Sequence, residues 1–309
     1  MFPGDNNDRL SSLLESLDPD MTGTVDYAAF CNLLTFRDLP TTSSVGLDDA
    51  VQLSVAELDL MEALTERVCS LGSEAVRCGT RILVDAEQVR FQPAIDNLVL
   101  NLMQQCNQQE PIIFNTYQCY RTDTPQRLRT DLARSERLSY HFGAKLVRGA
   151  YLESERALAK AKGYPSPLHE TLADTHACYN GSVEYVMRRC SQNDKNNNNV
   201  VELVCATHNQ ESIEKAIGLM NELGMDKRNG PVHFAQLLGM SDNLTFNLGA
   251  HGYQAYKCAP YGEVDKAVPY LLRRAEENSA IAGSATRELG LLMTEVSRRL
   301  FPNFSKPTI

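Results

Sequence analysis

Apolar positions along the chain change their period near residue 80. Before it they recur at helical spacing: Leu10, Leu13, Leu14 and Leu17 form one stripe. Leu58, Met61, Leu64 and Val68 form another, which predicts a helix ending near Gly72 or Gly79. Beyond residue 80, short apolar runs are separated by helical lengths: Arg81 to Asp85, Pro111 to Tyr117, Ala144 to Arg148, Val200 to Ala206, Val232 to Gln236 and Gln254 to Cys258. Such alternation predicts a parallel sheet with crossover helices. Each run ends in polar or chemically useful residues: Asp85, Gln118, Arg148, His208, Gln236 and the corner Cys258-Ala259-Pro260-Tyr261. Function gathered at strand C-termini is the habit of the β/α barrel, and an open doubly wound sheet shares it.

The first stripe runs into a different signal. Asp18, Asp20, Thr22, Gly23 and Asp26 occupy positions 1, 3, 5, 6 and 9 of an EF-hand loop, but Ala29 stands at position 12. Without the bidentate Glu that calcium takes there, residues 1–45 read as a degenerate EF-hand-like helical segment. Pro40-Thr41-Thr42-Ser43-Ser44 reads as a linker, 46–79 as linker and helix, 80–300 as the α/β portion and 301–309 as a tail. The Asn-rich stretch at 193–199 reads as a solvated loop.

Composition narrows the classes. With 43% hydrophobic and 22% charged residues the chain is a soluble globular type. A net charge of -9 without a Lys/Arg stripe argues against a nucleic-acid or anionic-membrane surface, so small acidic or zwitterionic ligands need local arginines. The nine cysteines are scattered, odd in number and never in C-x-x-C pairs, the usage of reduced thiols in an intracellular compartment, with neither zinc nor a disulfide framework expected. No apolar run approaches the roughly 18 residues that span a bilayer. Residues Met1 to Asp8 read as neither a signal peptide nor a basic transit peptide. Dinucleotide, P-loop, zincin and nucleophile-elbow fingerprints do not occur.

Three stretches carry candidate chemistry. On a helix, Tyr270, Arg273, Arg274 and Glu277 fall at i, i+3, i+4 and i+7, so a ring, two guanidiniums and a carboxylate share one face suited to a small zwitterion. An ordinary amphipathic helix with Arg273 paired to Glu277 fits the same spacing. Lys145 and Arg148 put two cations across a strand end, and Gly149 then lets backbone approach a ligand closely, a cradle for a phosphate or an electron-rich ring. Thr207 and His208 end another strand with a hydroxyl and an imidazole. A lone histidine there is more often a structural hydrogen-bonder than a catalyst. Asp85 and Gln118 share that ambiguity, since a strand-end carboxylate also serves as a helix N-cap.

Taken together, Leu83-Val84-Asp85-Ala86-Glu87, Asn115-Thr116-Tyr117-Gln118, Lys145-Leu146-Val147-Arg148-Gly149-Ala150-Tyr151, Ala206-Thr207-His208-Asn209, Gln236-Leu237-Leu238-Gly239-Met240, Pro260-Tyr261-Gly262 and Tyr270 to Asn278 closely resemble the proline dehydrogenase family in order and spacing, over roughly residues 80–300. Lys145, where bacterial members carry Arg, resembles the eukaryotic branch that includes hydroxyproline dehydrogenases. The resemblance implies an α/β fold, a distorted TIM-like (β/α) barrel with FAD at its strand C-termini and the final helix over the flavin. It implies that Arg273 and Arg274 bind the substrate carboxylate, that Glu277 and Tyr270 support that pocket, and that Asp85 and Tyr151 line it. Gln118, Lys145, Arg148, Gly149, Ala150, Thr207 and His208 are implied as contacts of the flavin and its phosphates. By the same resemblance a proline or hydroxyproline substrate is oxidised to a pyrroline carboxylate, and a quinone takes the electrons. The location implied is the matrix face of the mitochondrial inner membrane, with peripheral association.

Two departures add expectations. Family members carry an earlier strand with a Lys near substrate and flavin, and residues 1–79 contain nothing similar, so the chain resembles the C-terminal part of a larger protein with a barrel lacking its first strand. That opens an alternative: a catalytically inactive truncated barrel with a regulatory or interaction role, its unpaired edges exposed. A calcium sensor is a third reading, and Ala29 opposes it. Second, Cys258 stands where proline-specific members carry Tyr. The smaller side chain leaves space for a ring hydroxyl and predicts 4-hydroxyproline as a good substrate.

Overall fold

The computed structural model describes residues 54–193, 199–279 and 282–300, with the side chains of 273–288 and 291 left out. The EF-hand-like segment lies outside the described residues. By contacts among Cα atoms the chain forms two compact units, residues 1–203 and 204–309, each taken here by itself.

The first unit opens with helix α1, Val55–Cys78. Ser54 and Glu57 close a capping box at its start: the Glu57 amide donates to Ser54 Oγ at 3.3 Å and the Ser54 amide to Glu57 Oε2 at 2.8 Å. Gly79, at φ 60°, ends it in the left-handed conformation. Of the two predicted stops, Gly72 lies inside the helix. A Cβ there would come within 2.8 Å of Leu102 and 2.9 Å of Cys106, so that glycine serves helix packing.

Strands β1 (Ile82–Leu83), β2 (Ile113–Gln118) and β3 (Phe142–Val147) alternate with helices α2 (Gln92–Cys106) and α3 (Thr124–Arg137). Both pairings are parallel, with Leu83 opposite Phe114 and Gln118 opposite Val147. All six residues of β2 are buried, as expected of a parallel strand covered on both faces. Phe114, Tyr117, Phe142 and Leu146 form the centre of this core with Leu100, Met103 and Leu128 from the helices. Burying a side chain such as Phe114 stabilises the fold by about 1.5–3 kcal/mol. Asn107, just beyond α2 and fully buried, stitches the strand entries together. Its Oδ1 accepts from the Ile112 and Ile113 amides at 3.1 and 2.8 Å, and its Nδ2 donates to the Ile113 and His141 carbonyls at 2.9 and 3.0 Å. Helices α4 (Leu152–Lys162) and α5 (Leu172–Cys190) follow β3. Thr171 caps α5, accepting from the Asp174 amide at 3.0 Å.

Strand β4 (Val201–Ala206) straddles the division. In the second unit come α6 (Gln210–Glu222), β5 (Val232–Leu237), α7 (Asp242–Ala250), β6 (Ala255–Cys258), α8 (Val264–Ser279) and α9 (Ala282–Leu300). Strands β5 and β6 are parallel, with Leu237 opposite Cys258. Every apolar run read as a strand is one, within a few residues. The helix carrying Tyr270 is not the last element: α9 follows it. Helix α8 contains Pro269 and runs continuously through positions 270, 273, 274 and 277.

Candidate active site

In the first unit the predicted residues meet at strand ends. Lys145, third from the end of β3, pairs through its ammonium with the carboxylate of Asp85, which lies two residues past β1. The lysine side chain is 15% exposed and the aspartate 77%, so the pair has a sheltered cation and an open anion. Glu87 gathers the neighbours. Its carboxylate accepts from the Tyr151 hydroxyl at 2.7 Å and its carbonyl from Gln118 Nε2 at 2.8 Å. Its amide donates to Gln92 Oε1 at 2.8 Å. Sequence reading quoted Glu87 in a motif without giving it a role; a partner 64 residues away leaves no local signal.

Arg148 follows β3. Its Nε donates to His176 Nδ1 at 2.8 Å, and its guanidinium lies 4.4 Å from the centroid of the Tyr179 ring, both groups from α5. Burial lowers its pKa, a desolvated cation being costly. Gly149 has φ 133°, and a Cβ there would fall 2.5 Å from the Tyr120 ring. Only glycine fits both demands. The Tyr120 amide donates to the Arg148 carbonyl at 2.7 Å, so the Arg148-Gly149-Ala150 turn lies against the end of β2.

The second unit builds a different arrangement. Thr207 is buried, and its hydroxyl accepts from the Asn209 amide at 3.1 Å, beside Asn209's own cap of α6. His208 Nδ1 lies 3.1 Å from Ser241 Oγ, and the Leu237 amide donates to Nε2 at 3.5 Å. A neutral ring with its proton on Nδ1 would donate to Ser241 Oγ and leave Nε2 to face the Leu237 amide. Burial, and then the charge of Lys257, lowers the His208 pKa. Lys257 donates to the carbonyls of Leu237 and Met240 at 3.3 and 2.6 Å and pairs with Asp242 at 2.7 Å. Sequence reading missed Lys257 and Ser241. Cys258 is exposed, with its sulfur 4.0 Å from the Tyr270 hydroxyl. Arg273, Arg274 and Glu277 lie on α8, and their side chains are outside what is described.

The structure thus brings together Asp85, Lys145, Gln118 and Tyr151, with the Arg148-Gly149-Ala150 turn, in one unit. In the other it joins His208 with Ser241, and Cys258 with Tyr270, while Thr207 turns to the Asn209 amide. The donor set of the first, two cations and a buried amide at strand ends, suits a phosphate or an electron-rich ring, and the glycine turn beside it is closed by the protein's own Tyr120 ring.

An α/β chain with parallel strands and polar strand ends of this kind has the architecture of the barrel class, in which functional side chains gather at the strand C-termini. Proline utilization A from Bdellovibrio bacteriovorus, solved after inactivation by N-propargylglycine, superposes with a TM-score of 0.64 at 21% identity, over 71% of this chain and 22% of that one. The fold is accordingly of the TIM-like barrel type. The family model described as proline dehydrogenase matches residues 20–287, and the chain belongs to the proline dehydrogenase family. Hydroxyproline dehydrogenase of Xenopus laevis is 42% identical over 249 residues, 81% of this chain and 53% of the relative. Proline dehydrogenase 1, mitochondrial, of Homo sapiens is 38% identical over 288 residues, 91% of this chain and 47% of the relative. The chain spans about half the length of the curated relatives it matches.

Proposed function

We propose that the chain carries the catalytic region of an FAD-dependent dehydrogenase that oxidises L-proline or trans-4-hydroxy-L-proline to the corresponding 1-pyrroline-5-carboxylate and passes electrons to a quinone. The observation that carries this reading is the Lys145–Asp85 pair beside the Gly149 turn, in a member of this family. Gln118, Lys145, Arg148, Gly149, Ala150, Thr207 and His208 would hold the flavin, and the bound flavin would supply the two-electron acceptor that no side chain provides.

The chain's own residues bind and orient. Lys145 places a cation at the end of β3, and its open partner Asp85, largely in solvent, can return to water when that cation turns to a ligand anion. Glu87 fixes the Tyr151 hydroxyl and the Gln118 amide from one residue, so the two sides of the turn move together. Arg273 and Arg274 would take the substrate carboxylate in bidentate fashion, the role their match to the family assigns. Pinning the substrate this way supplies proximity, the main contribution of the protein to such a step. Cys258, smaller than the Tyr of proline-specific members, leaves room for a ring hydroxyl, and it favours hydroxyproline. Relatives named as mitochondrial support a mitochondrial location, where the matrix face of the inner membrane gives access to quinone.

The test is the absorption spectrum of the chain reconstituted with FAD, before and after anaerobic trans-4-hydroxy-L-proline or L-proline. A flavin band bleached by either amino acid supports the enzyme, and preferential bleaching by hydroxyproline supports the role of Cys258. A chain that takes up no flavin, or whose flavin neither substrate bleaches, overturns the reading and leaves the inactive barrel.

A further inference from the structure

Helix α9 holds a row of large apolar side chains in solvent. Leu289, Leu292, Met293, Val296 and Leu300 are 49–67% exposed. At the helical repeat they fall within an arc of about 100°, the width of a face meant for burial. The polar side is satisfied within the helix: Glu295 accepts from Arg298 at 2.6 and 2.7 Å and from Arg299 at 2.8 Å, and the Thr294 hydroxyl donates to the Gly290 carbonyl at 2.8 Å. One carboxylate against two guanidiniums leaves residues 289–300 a net charge of +1. That is little for a helix held on a membrane by anionic lipid, and those positions lack the aromatic residues such helices use.

We propose that this face of α9 is a self-association surface, occupied by α9 of a second copy of the chain in antiparallel orientation. The spacing carries the choice of occupant. Leu289, Met293, Val296 and Leu300 are separated by four, three and four positions, the alternation of an a/d seam. This series reads the same in both directions. Turned end for end, it lays Leu289 against Leu300 of the second copy and Met293 against Val296, so that residue i meets j while j meets i, as a two-fold contact demands.

The flanks agree with the seam. Gly290 and Ser297 border it on one side, and a Cβ at Gly290 would meet nothing within 4 Å, so two backbones have room to close there. Leu292 borders it on the other, where the aliphatic stem of Arg299 from the second copy covers it. Helix dipoles favour the antiparallel pair. Only two residues separate α8 from α9, so a parallel pair would crowd both second units at one end. Five side chains exposed to this extent offer on the order of 500 Å² per copy, about 1,000 Å² for the pair, the size at which specific contacts begin. Such a contact forms and dissociates with concentration.

Sedimentation velocity of the chain from low to high micromolar concentration is the test. Expected is a monomer that passes to a dimer as concentration rises, with Val296→Glu and Met293→Glu monomeric throughout and their circular dichroism unchanged. In a chain carrying Leu289→Cys and Leu300→Cys together, oxidation should join position 289 of one copy to position 300 of the other in peptide maps, because the two lie about 16 Å apart within one helix. A wild-type chain that stays monomeric, a dimer that persists in both Glu variants, or links between like positions would overturn the proposal. A monomer that pellets with anionic phospholipid vesicles would overturn it too, giving the face to a membrane. The wild-type series needs neither flavin nor activity, so its failure is separate from that of the proposed function.

Discussion

The two units use lysine in opposite ways. Lys145 ends at one carboxylate that is largely in solvent, while Lys257 is committed to two backbone carbonyls and a carboxylate at once. A cation with one open partner can change partner for a ligand. A cation that satisfies three acceptors is a brace: it closes the turn between β5 and α7, which also carries Ser241, the partner of His208. The same side chain is therefore available chemistry in one unit and architecture in the other. Neither role is written in the residue type; the number and exposure of the partners decide it.

Substitutions can break or sharpen this contrast. The largest effect is expected at Gly149, where the Arg148 turn meets Tyr120. Gly149→Ala combines a strained φ of 133° with a Cβ 2.5 Å from a ring, and together they cost about 3 kcal/mol. The urea midpoint measures it, and adding Tyr120→Leu should recover part of the loss. An Ala variant as stable as the parent would show that the turn can move away.

Next is the brace. Lys257→Met strands the Leu237 and Met240 carbonyls and Asp242, at about 2 kcal/mol, with Lys257→Arg recovering some of it. Equal stability of Met and Lys variants would reduce Lys257 to a surface charge.

A smaller effect is expected of His208. Its folded pKa is depressed below the unfolded value of about 6.5, so the stability it contributes is present above that pH and is lost as pH falls through the folded value. Stability should thus fall between pH 7 and pH 5 with a slope no steeper than about 1.4 kcal/mol per pH unit for this group. His208→Gln should remove that part of the slope in denaturation series. An unchanged slope would mean that the ring is as easily protonated in the fold as outside it.

The smallest effect on folding belongs to Asp85→Asn, within about 1 kcal/mol, because its carboxylate is 77% exposed. Under the proposed function, FAD titration should show tighter binding in this variant, because the Lys145 ammonium no longer has a carboxylate to leave. A folding loss as large as that of Lys257→Met would erase the distinction between the two lysines.

Much of this was legible from residue order. Each of the six apolar runs became a strand because period and length are local properties. The strand-end residues Asp85, Gln118, Arg148 and His208 could be placed for the same reason. Partners could not. Glu87 meets Tyr151 across 64 positions, and Arg148 meets His176 across 28, distances at which no spacing rule operates. The stop at Gly79 rather than Gly72 was undecided in sequence because both are glycines; packing against Leu102 and Cys106 made one a contact and left the other a cap. Lys257 looked like a strand residue because it is one, and its function lies in the turn that its side chain reaches.

Asn107 has a consequence in time rather than energy. One buried side-chain amide holds the amides of Ile112 and Ile113 and the carbonyls of Ile113 and His141, at the entrance to β2 and β3. Those two amides can meet solvent deuterium only when this knot and the strands it ties come apart together. In exchange experiments, Ile112 and Ile113 should therefore be among the slowest reporters of the first unit, keeping a clock for its opening that the frayed ends of its helices do not share.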